Sequence, residues 1–410
     1  MVDQNTRKLE DVVTLSNDNN IEYLTGSRQV DTLPIKPFDF LVCEFLEIFS
    51  KKLSLAKDIK NYPDLKTLSF WCRKGNIENI KKRYFSEDTR MGLGMIFHIT
   101  PSNIPTNFAY SFIFGLLTGN SNIVKVPTKK FNEISIICSV INSILRNKKF
   151  KKIKNRISIV RYKKNETFTR QISLKCDARI IWGGDTTINY IRKFDLSERA
   201  REITFSDRYS LCIINFNKLP LSNNKVYKNL AIAFYNDTYL VDQNACSSPH
   251  LIIWYGKNNN KKKDLFWKNV LDIAKPRYDL SERLAVEKYY ELCNQLSKSQ
   301  NIKNQTRYEN LIYTLNLKNL RKDMDNFIGK GGFFYEFNSS KISDIAKIVN
   351  KKYQTLTYFG FDKSFFEKFL FDNNLKGIDR IVPIGKALDI GFVWDGYDLN
   401  KFLTRVIDIK

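Results

Sequence analysis

Histidine is nearly absent from this 410-residue sequence, with two in the whole chain, and its seven cysteines include no C-x-x-C pair. Those shortages leave no ligand set at metal-binding spacing, so no metal site is expected. An odd number of scattered cysteines is also a poor basis for a disulfide framework. No N-terminal stretch joins a basic flank, an apolar core and a small-residue cleavage site, which points to the reducing cytoplasm. Long apolar runs are missing too. The richest, Phe108 to Leu117, spans about ten residues, roughly half of what crosses a bilayer, so no membrane span is expected. Internal repeats and long low-complexity linkers are absent. The pair Gly92-x-Gly94 lacks the third glycine of a dinucleotide fingerprint.

What is present describes a large globular protein. At 43% hydrophobic and 13% aromatic, the chain can bury a sizeable core in two or three domains. Lys and Arg total 67 against 43 Asp and Glu, a formal net charge of +24 that attracts polyanions. The dense basic runs, Lys148 to Arg156 and Lys257 to Lys263, lack interleaved stacking aromatics and any nucleic-acid motif, so a nucleic-acid partner is not expected. A solvated surface and an anionic carrier of substrate, such as coenzyme A or an acidic carrier protein, both remain compatible with the charge.

Residues 1–35 read as a polar, partly irregular segment. From Pro37 to Tyr84 apolar residues recur at helical spacing, broken by Tyr62-Pro63-Asp64. Strand-like and helix-like segments then alternate from Gly94 to Asn215, the pattern of a mostly parallel sheet covered by helices. Three turns fall where such sheets bind ligands, at strand carboxyl ends. In Thr100-Pro101-Ser102-Asn103-Ile104-Pro105, two prolines restrain an asparagine amide suited to an oxyanion, or simply cap a helix. The strand Ile123 to Val126 carries Lys125 at its end, either solvated or placed for a nucleotide ribose or phosphate. Trp182-Gly183-Gly184-Asp185 runs from strand to glycine pair to helix start, where backbone amides can meet a pyrophosphate. Farther on, Asp242-Gln243-Asn244-Ala245-Cys246-Ser247-Ser248-Pro249 places one cysteine in a turn of small polar residues, accessible to substrate. Cys138 and Cys212, inside apolar runs, read instead as core hydrophobes.

In this order, these segments resemble the aldehyde dehydrogenase superfamily. The likeness narrows to its acyl-CoA reductase family through Tyr62-Pro63-Asp64, Phe70-Trp71-Cys72-Arg73-Lys74, Phe97-His98, Gln354-Thr355, Asp379-Arg380-Ile381-Val382-Pro383 and Trp394-Asp395-Gly396. That family includes the reductase of the fatty-acid reductase complex of luminous bacteria, and the resemblance covers residues 35–405. It implies an α/β fold of two lobes, each a mostly parallel sheet covered by helices. The cofactor lobe is drawn at residues 36–216, the catalytic lobe at 217–387, and 388–410 either returns to the first lobe or forms an interface.

The resemblance also implies a chemistry. Cys246 would take the acyl group of a fatty acyl-CoA or acyl-protein thioester, the latter from an acyl-transferring synthetase partner. Asn103 would hold the oxyanion, and a nicotinamide would deliver hydride to release a long-chain aldehyde. Lys125, Gly183 and Gly184 match the superfamily's cofactor contacts. Oxidising relatives carry a water-activating glutamate where Phe205 stands here, and its loss suits reduction. NAD-preferring relatives often carry a glutamate at the position of Thr128. The neutral Thr128, followed by Lys129 and Lys130, leads to an expectation of NADPH. His250 assists the thiol or serves packing. A homo-oligomer is implied by resemblance alone. A reductase of short acyl-CoA or acyl phosphate, and a non-catalytic basic binding protein on the same fold, are the competing readings. Acyl chain length, acyl donor and pathway are not legible.

Overall fold

The computed structural model describes residues 11–57, 59–84 and 88–410. The chain forms two units, residues 1–206 with 397–410 and residues 207–396.

The first unit is built on a six-stranded sheet in the order Glu22–Gly26, Ile157–Arg161, Ser121–Val126, Met95–Ile99, Ala178–Trp182, Arg201–Phe205. Only the edge strand Glu22–Gly26 runs antiparallel. Met95–Ile99, Ile157–Arg161 and Ala178–Trp182 are buried at every residue, as expected of parallel strands covered on both faces. The apolar run that was too short for a membrane is the helix Asn107–Leu117, buried along nearly its whole length against this sheet. From Met95–Ile99 the chain steps outward on one side and then returns to Ala178–Trp182 on the other. That reversal is a topological switch point, the place where open parallel sheets commonly bind ligands, at the strand carboxyl ends.

The helical region before this sheet consists of Phe40–Ser54, Pro63–Trp71 and Lys74–Tyr84. Asp39 caps the first by accepting from the Leu41 and Val42 amides, and Val42, Phe45, Leu46, Phe49 and Leu53 form its buried face. Pro63 occupies the first turn of the second helix, where its missing N–H costs nothing.

Of the N-terminal segment, residues 1–10 lie outside the described residues. The remainder is more regular than its polarity implied: Val12–Thr14 pairs with Gln29–Asp31, and Glu22–Gly26 edges the main sheet. Short, half-exposed edge strands carry little apolar pattern. At the other terminus, Thr404–Val406 pairs with Arg90–Gly92. Buried Asn120 donates to the Leu403 carbonyl at 2.9 Å, and Arg201 donates to the Phe402 carbonyl at 2.6 Å. Residues 397–410 are therefore part of the first unit, while 388–396 stay in the second.

The second unit contains a seven-stranded sheet in the order Ile302–Tyr308, Ile312–Leu317, Phe333–Ser339, Pro249–Tyr255, Tyr209–Asn215, Tyr353–Phe359, Arg380–Pro383. All neighbours are parallel except the first pair. Tyr209–Asn215, which the sequence reading left in the first lobe, is central here and buried at all its residues. The boundary at residue 216 was thus one strand late. A strand apolar on both faces does not reveal to which sheet it belongs. One face of this sheet packs Trp254, Phe234, Phe266 and Trp267 with the helices Asn224–Thr238 and Asn260–Ala274.

Candidate active site

The helix Asn224–Thr238 leads through the tight turn Tyr239–Val241 into the cysteine segment. Asp242 and Gln243 both take left-handed backbone angles, φ 51° and 61°. Such angles cost non-glycine residues roughly 1–2 kcal/mol each unless their surroundings enforce them. Here the surroundings do so. The Gln243 amide donates to the Thr238 carbonyl at 2.7 Å. Its buried side chain donates to the Pro249 and Phe333 carbonyls, both at 3.0 Å, and accepts from the Gly332 and Phe333 amides at 3.2 and 3.3 Å. Ser248 Oγ donates to the Asp237 carbonyl at 2.7 Å. Ser210 Oγ donates to the Cys246 carbonyl at 2.6 Å and accepts from the Thr355 amide at 3.2 Å. The turn is clamped on both flanks, and Cys246 between them remains partly exposed.

The sulfur has a defined electrostatic setting. Gln354 Nε2 donates to Cys246 Sγ at 3.3 Å and to Asp395 Oδ1 at 3.0 Å. Arg208 pairs with the buried Asp395 at 3.1 Å and with Asp379. Burial, and then the Asp395 charge, push the thiol up to about 11; the Gln354 hydrogen bond and the Arg208 charge act in the opposite sense. Asp395 is itself raised by burial, against Arg208 and Gln354. His250 stacks on Tyr209 with ring centroids 5.5 Å apart, and burial drives its pKa down to about 4. A neutral ring packed on an aromatic matches the packing role rather than a charged partner for the thiol.

The other expected site residues all lie in the first unit. Asn103 is exposed in the loop leaving Met95–Ile99. Thr100 fixes the start of that loop, its amide and hydroxyl both donating to the Lys125 carbonyl at 3.1 and 2.9 Å. Lys125 pairs with Ile99, and Ile99 pairs on its other side with Ile181, so the Asn103 loop, the strand-end Lys125 and the Gly183 turn lie at the carboxyl ends of the same sheet. The Lys125 ammonium lies 5.0 Å from the Tyr162 ring centroid, and burial lowers its pKa. Thr128 is exposed just beyond the strand. Gly183 donates to the Phe205 carbonyl at 3.1 Å, and Gly184 caps the short helix Asp185–Ile191, whose first turn already holds an acidic residue. A half-buried cation at the reversal point of a parallel sheet fits a phosphate or ribose; the glycine turn fits it less well, because Asp185 competes for the amides.

Phe205 stacks on Trp182 at 3.7 Å and meets Tyr397 edge-on at 5.7 Å. Aromatic packing therefore surrounds Phe205, the residue that the resemblance aligns with a water-activating glutamate. Glu202 is engaged by Arg179 and Arg192, the latter at 2.8 Å. Sequence reasoning did not single out Arg208 or Ser210, nor give roles to Gln354 and Asp395. Gln354-Thr355 and Trp394-Asp395-Gly396 were visible as motifs, but only the folded sheet brings them to the sulfur.

A model of the acyl-CoA reductase (LuxC) family matches residues 47–405. No curated protein sequence matches the chain. Among solved structures, lactaldehyde dehydrogenase from Escherichia coli is similar with a TM-score of 0.61 at 11% identity, over 89% of this chain and 86% of that one. Aldehyde dehydrogenase 21 from Physcomitrella patens, in complex with the reaction product succinate, gives 0.61 at 10%, over 90% and 85%. A 3,6-anhydro-L-galactose dehydrogenase in complex with NAP gives 0.59 at 11%, over 97% and 98%. These likenesses establish an aldehyde-dehydrogenase-like α/β fold.

Proposed function

The chain belongs to the acyl-CoA reductase (LuxC) family, enzymes that reduce acyl thioesters to aldehydes, and from that premise we propose that it carries a long-chain acyl group on Cys246 and reduces it with NADPH. The observation that carries the reading is the sulfur's setting. One thiol of the seven sits in a turn clamped on both sides and receives a hydrogen bond from a glutamine itself held by a buried ion pair.

Cys246, as thiolate, attacks the thioester carbonyl; the carrier's thiolate leaves, and an acyl-cysteine remains. The Asn103 amide supports the oxyanion of each tetrahedral step. A nicotinamide cofactor, when held there, would supply the hydride. Collapse of the second oxyanion expels the Cys246 thiolate and releases the aldehyde. Lys125, with the Gly183-Gly184 backbone, would hold the phosphate or ribose part of that cofactor. Phe205, stacked where a water-activating base would stand, favours an acyl-enzyme that survives until reduction. An exposed, uncharged Thr128 followed by two lysines tolerates a 2′-phosphate, which favours NADPH. The acyl donor is coenzyme A or a synthetase partner. The enzyme acts as a homo-oligomer in the reducing cytoplasm, where unpaired thiols persist. Among the described residues no helix is long and apolar enough to cross a membrane.

Acyl-CoA-dependent nicotinamide oxidation, run over acyl chain lengths with NADPH and NADH, tests the proposal. Long chains and NADPH are expected to be preferred, and Cys246→Ala should abolish both turnover and labelling by radioactive acyl-CoA. Equal labelling of wild type and variant would remove Cys246 from its role, and preference for a short acyl group would replace the substrate reading.

A further inference from the structure

The helical region ahead of the first sheet contains a cleft of about 780 Å³, within the roughly 300–1,000 Å³ range of small-molecule sites. We propose that this cleft binds a phosphorylated adenosine nucleotide; that the nucleotide is the far end of an acyl-CoA substrate rests on the function proposed above.

Its lining contains Lys51, Lys60, Lys66, Arg73 and Lys74 against one carboxylate, Glu47. Glu47 is already neutralised by Lys51 at 2.6 Å, and that hydrogen bond lowers its pKa. Lys66 Nζ and Arg73 Nε donate to backbone carbonyls, of Lys60 at 3.2 Å and Phe70 at 3.0 Å, rather than to carboxylates. The cleft therefore keeps an excess of positive charge. The helix Lys74–Tyr84 also begins here, through Gly75, with no acidic residue in its first turn. Its amide end thus adds to the cationic field, the usual setting for a phosphate. Beside the cations, the exposed Phe70 ring carries the Arg73 guanidinium 3.2 Å from its centroid, a flat surface on which a purine can stack. Concavity favours a small molecule over a protein surface, and cations with an aromatic plate favour a nucleotide over a simple carboxylate.

A Cβ added at Gly75 meets nothing within 4 Å, so Gly75→Glu puts a carboxylate into the cleft without disturbing the fold. The test titrates the full chain calorimetrically with the probe adenosine 3′-phosphate 5′-diphosphate, in wild type, Gly75→Glu and Lys66→Glu, with thermal midpoints checking folding. Each variant should weaken this binding at least about tenfold, Lys66→Glu by reversing a charge and Gly75→Glu by introducing a repelling carboxylate. Both should raise KM for acyl-CoA at unchanged kcat, and leave KM for an acyl-pantetheine thioester, which has no nucleotide, where it was. Weakened probe binding with an unmoved acyl-CoA KM supports the site and assigns it to a free nucleotide. Probe affinity unchanged in both folded variants overturns the proposal, as does a cleft that binds an acidic protein but not the probe. Failure of wild type to reduce either thioester would count against the proposed reaction, while the titration would still report on the cleft.

Discussion

Cys246 is held away from the thiolate form by burial first and by a neighbouring carboxylate second. Burial alone raises the thiol, but Asp395, paired with Arg208 and bonded through Gln354, adds a negative charge that raises it further. Asp395→Asn removes that charge and keeps the shape, so the thiol pKa should fall and alkylation by iodoacetamide at about pH 8 should become several-fold faster. An alkylation profile identical to wild type would show that Asp395 orients Gln354 without tuning the sulfur. The oxyanion role proposed for Asn103 carries a different expectation. Loss of an oxyanion donor typically costs about 10²–10³ in turnover, so Asn103→Ala should lower kcat on that scale with nicotinamide affinity nearly unchanged. A loss below about threefold would leave the residue as a loop element only. At this scale the sequence drew attention to Cys246, because a cysteine among small polar residues is conspicuous. It gave no hint of Arg208, whose partners Asp379 and Asp395 are far along the chain.

The cysteine turn works as a unit because Gln243 fills it. Four hydrogen bonds from one buried amide join the turn to Pro249 and to the Gly332-Phe333 segment. Gln243→Ala would leave these backbone groups unpaired, and at about 1–3 kcal/mol for each buried orphan, only partly additive, a loss of roughly 2–5 kcal/mol is expected. Urea unfolding of the full chain measures it, and a loss under about 1 kcal/mol would mean that water replaces the side chain at little cost. Lys288 supports the same segment from the helix Glu282–Lys298, donating to the Gly331 carbonyl at 2.8 Å. Elements with strong apolar periodicity were legible in advance, among them Asn107–Leu117, Ala178–Trp182 and the helices after Pro37. The short polar strands near the N-terminus were not, since their pairing, rather than their composition, makes them strands.

Each unit contains one buried histidine, and together they give the molecule a pH dependence. His98 lies between Ser111 at 2.8 Å and Asn122 at 2.9 Å, and His250 lies under Tyr209; burial lowers both from 6.5 to about 4. The unfolded chain takes up these protons at the higher value. The stabilisation is therefore complete above about pH 6.5 and is lost as pH falls toward 4, at about 2 kcal/mol per histidine between pH 7 and pH 5. Denaturant unfolding at those two pH values should show the loss, and His98→Gln should reduce it by about half. A wild-type stability that is flat across this interval would mean that both rings are hydrated and protonated in the folded chain.

The sequence by itself supplied local signals: apolar alternation for an α/β fold, a cysteine in a turn of small polar residues, an asparagine between two prolines and a lysine at a strand end, while the roles proposed for these residues come from the family resemblance. Each signal is written in residue type and periodicity over a few positions. Tertiary structure decided everything that depends on pairing at long separation. It placed Tyr209–Asn215 in the second sheet, returned residues 397–410 to the first unit, and assembled Arg208, Gln354 and Asp395 around one sulfur. Strand order and register are set by which apolar faces bury one another across the whole sheet, and no window of local sequence contains that information.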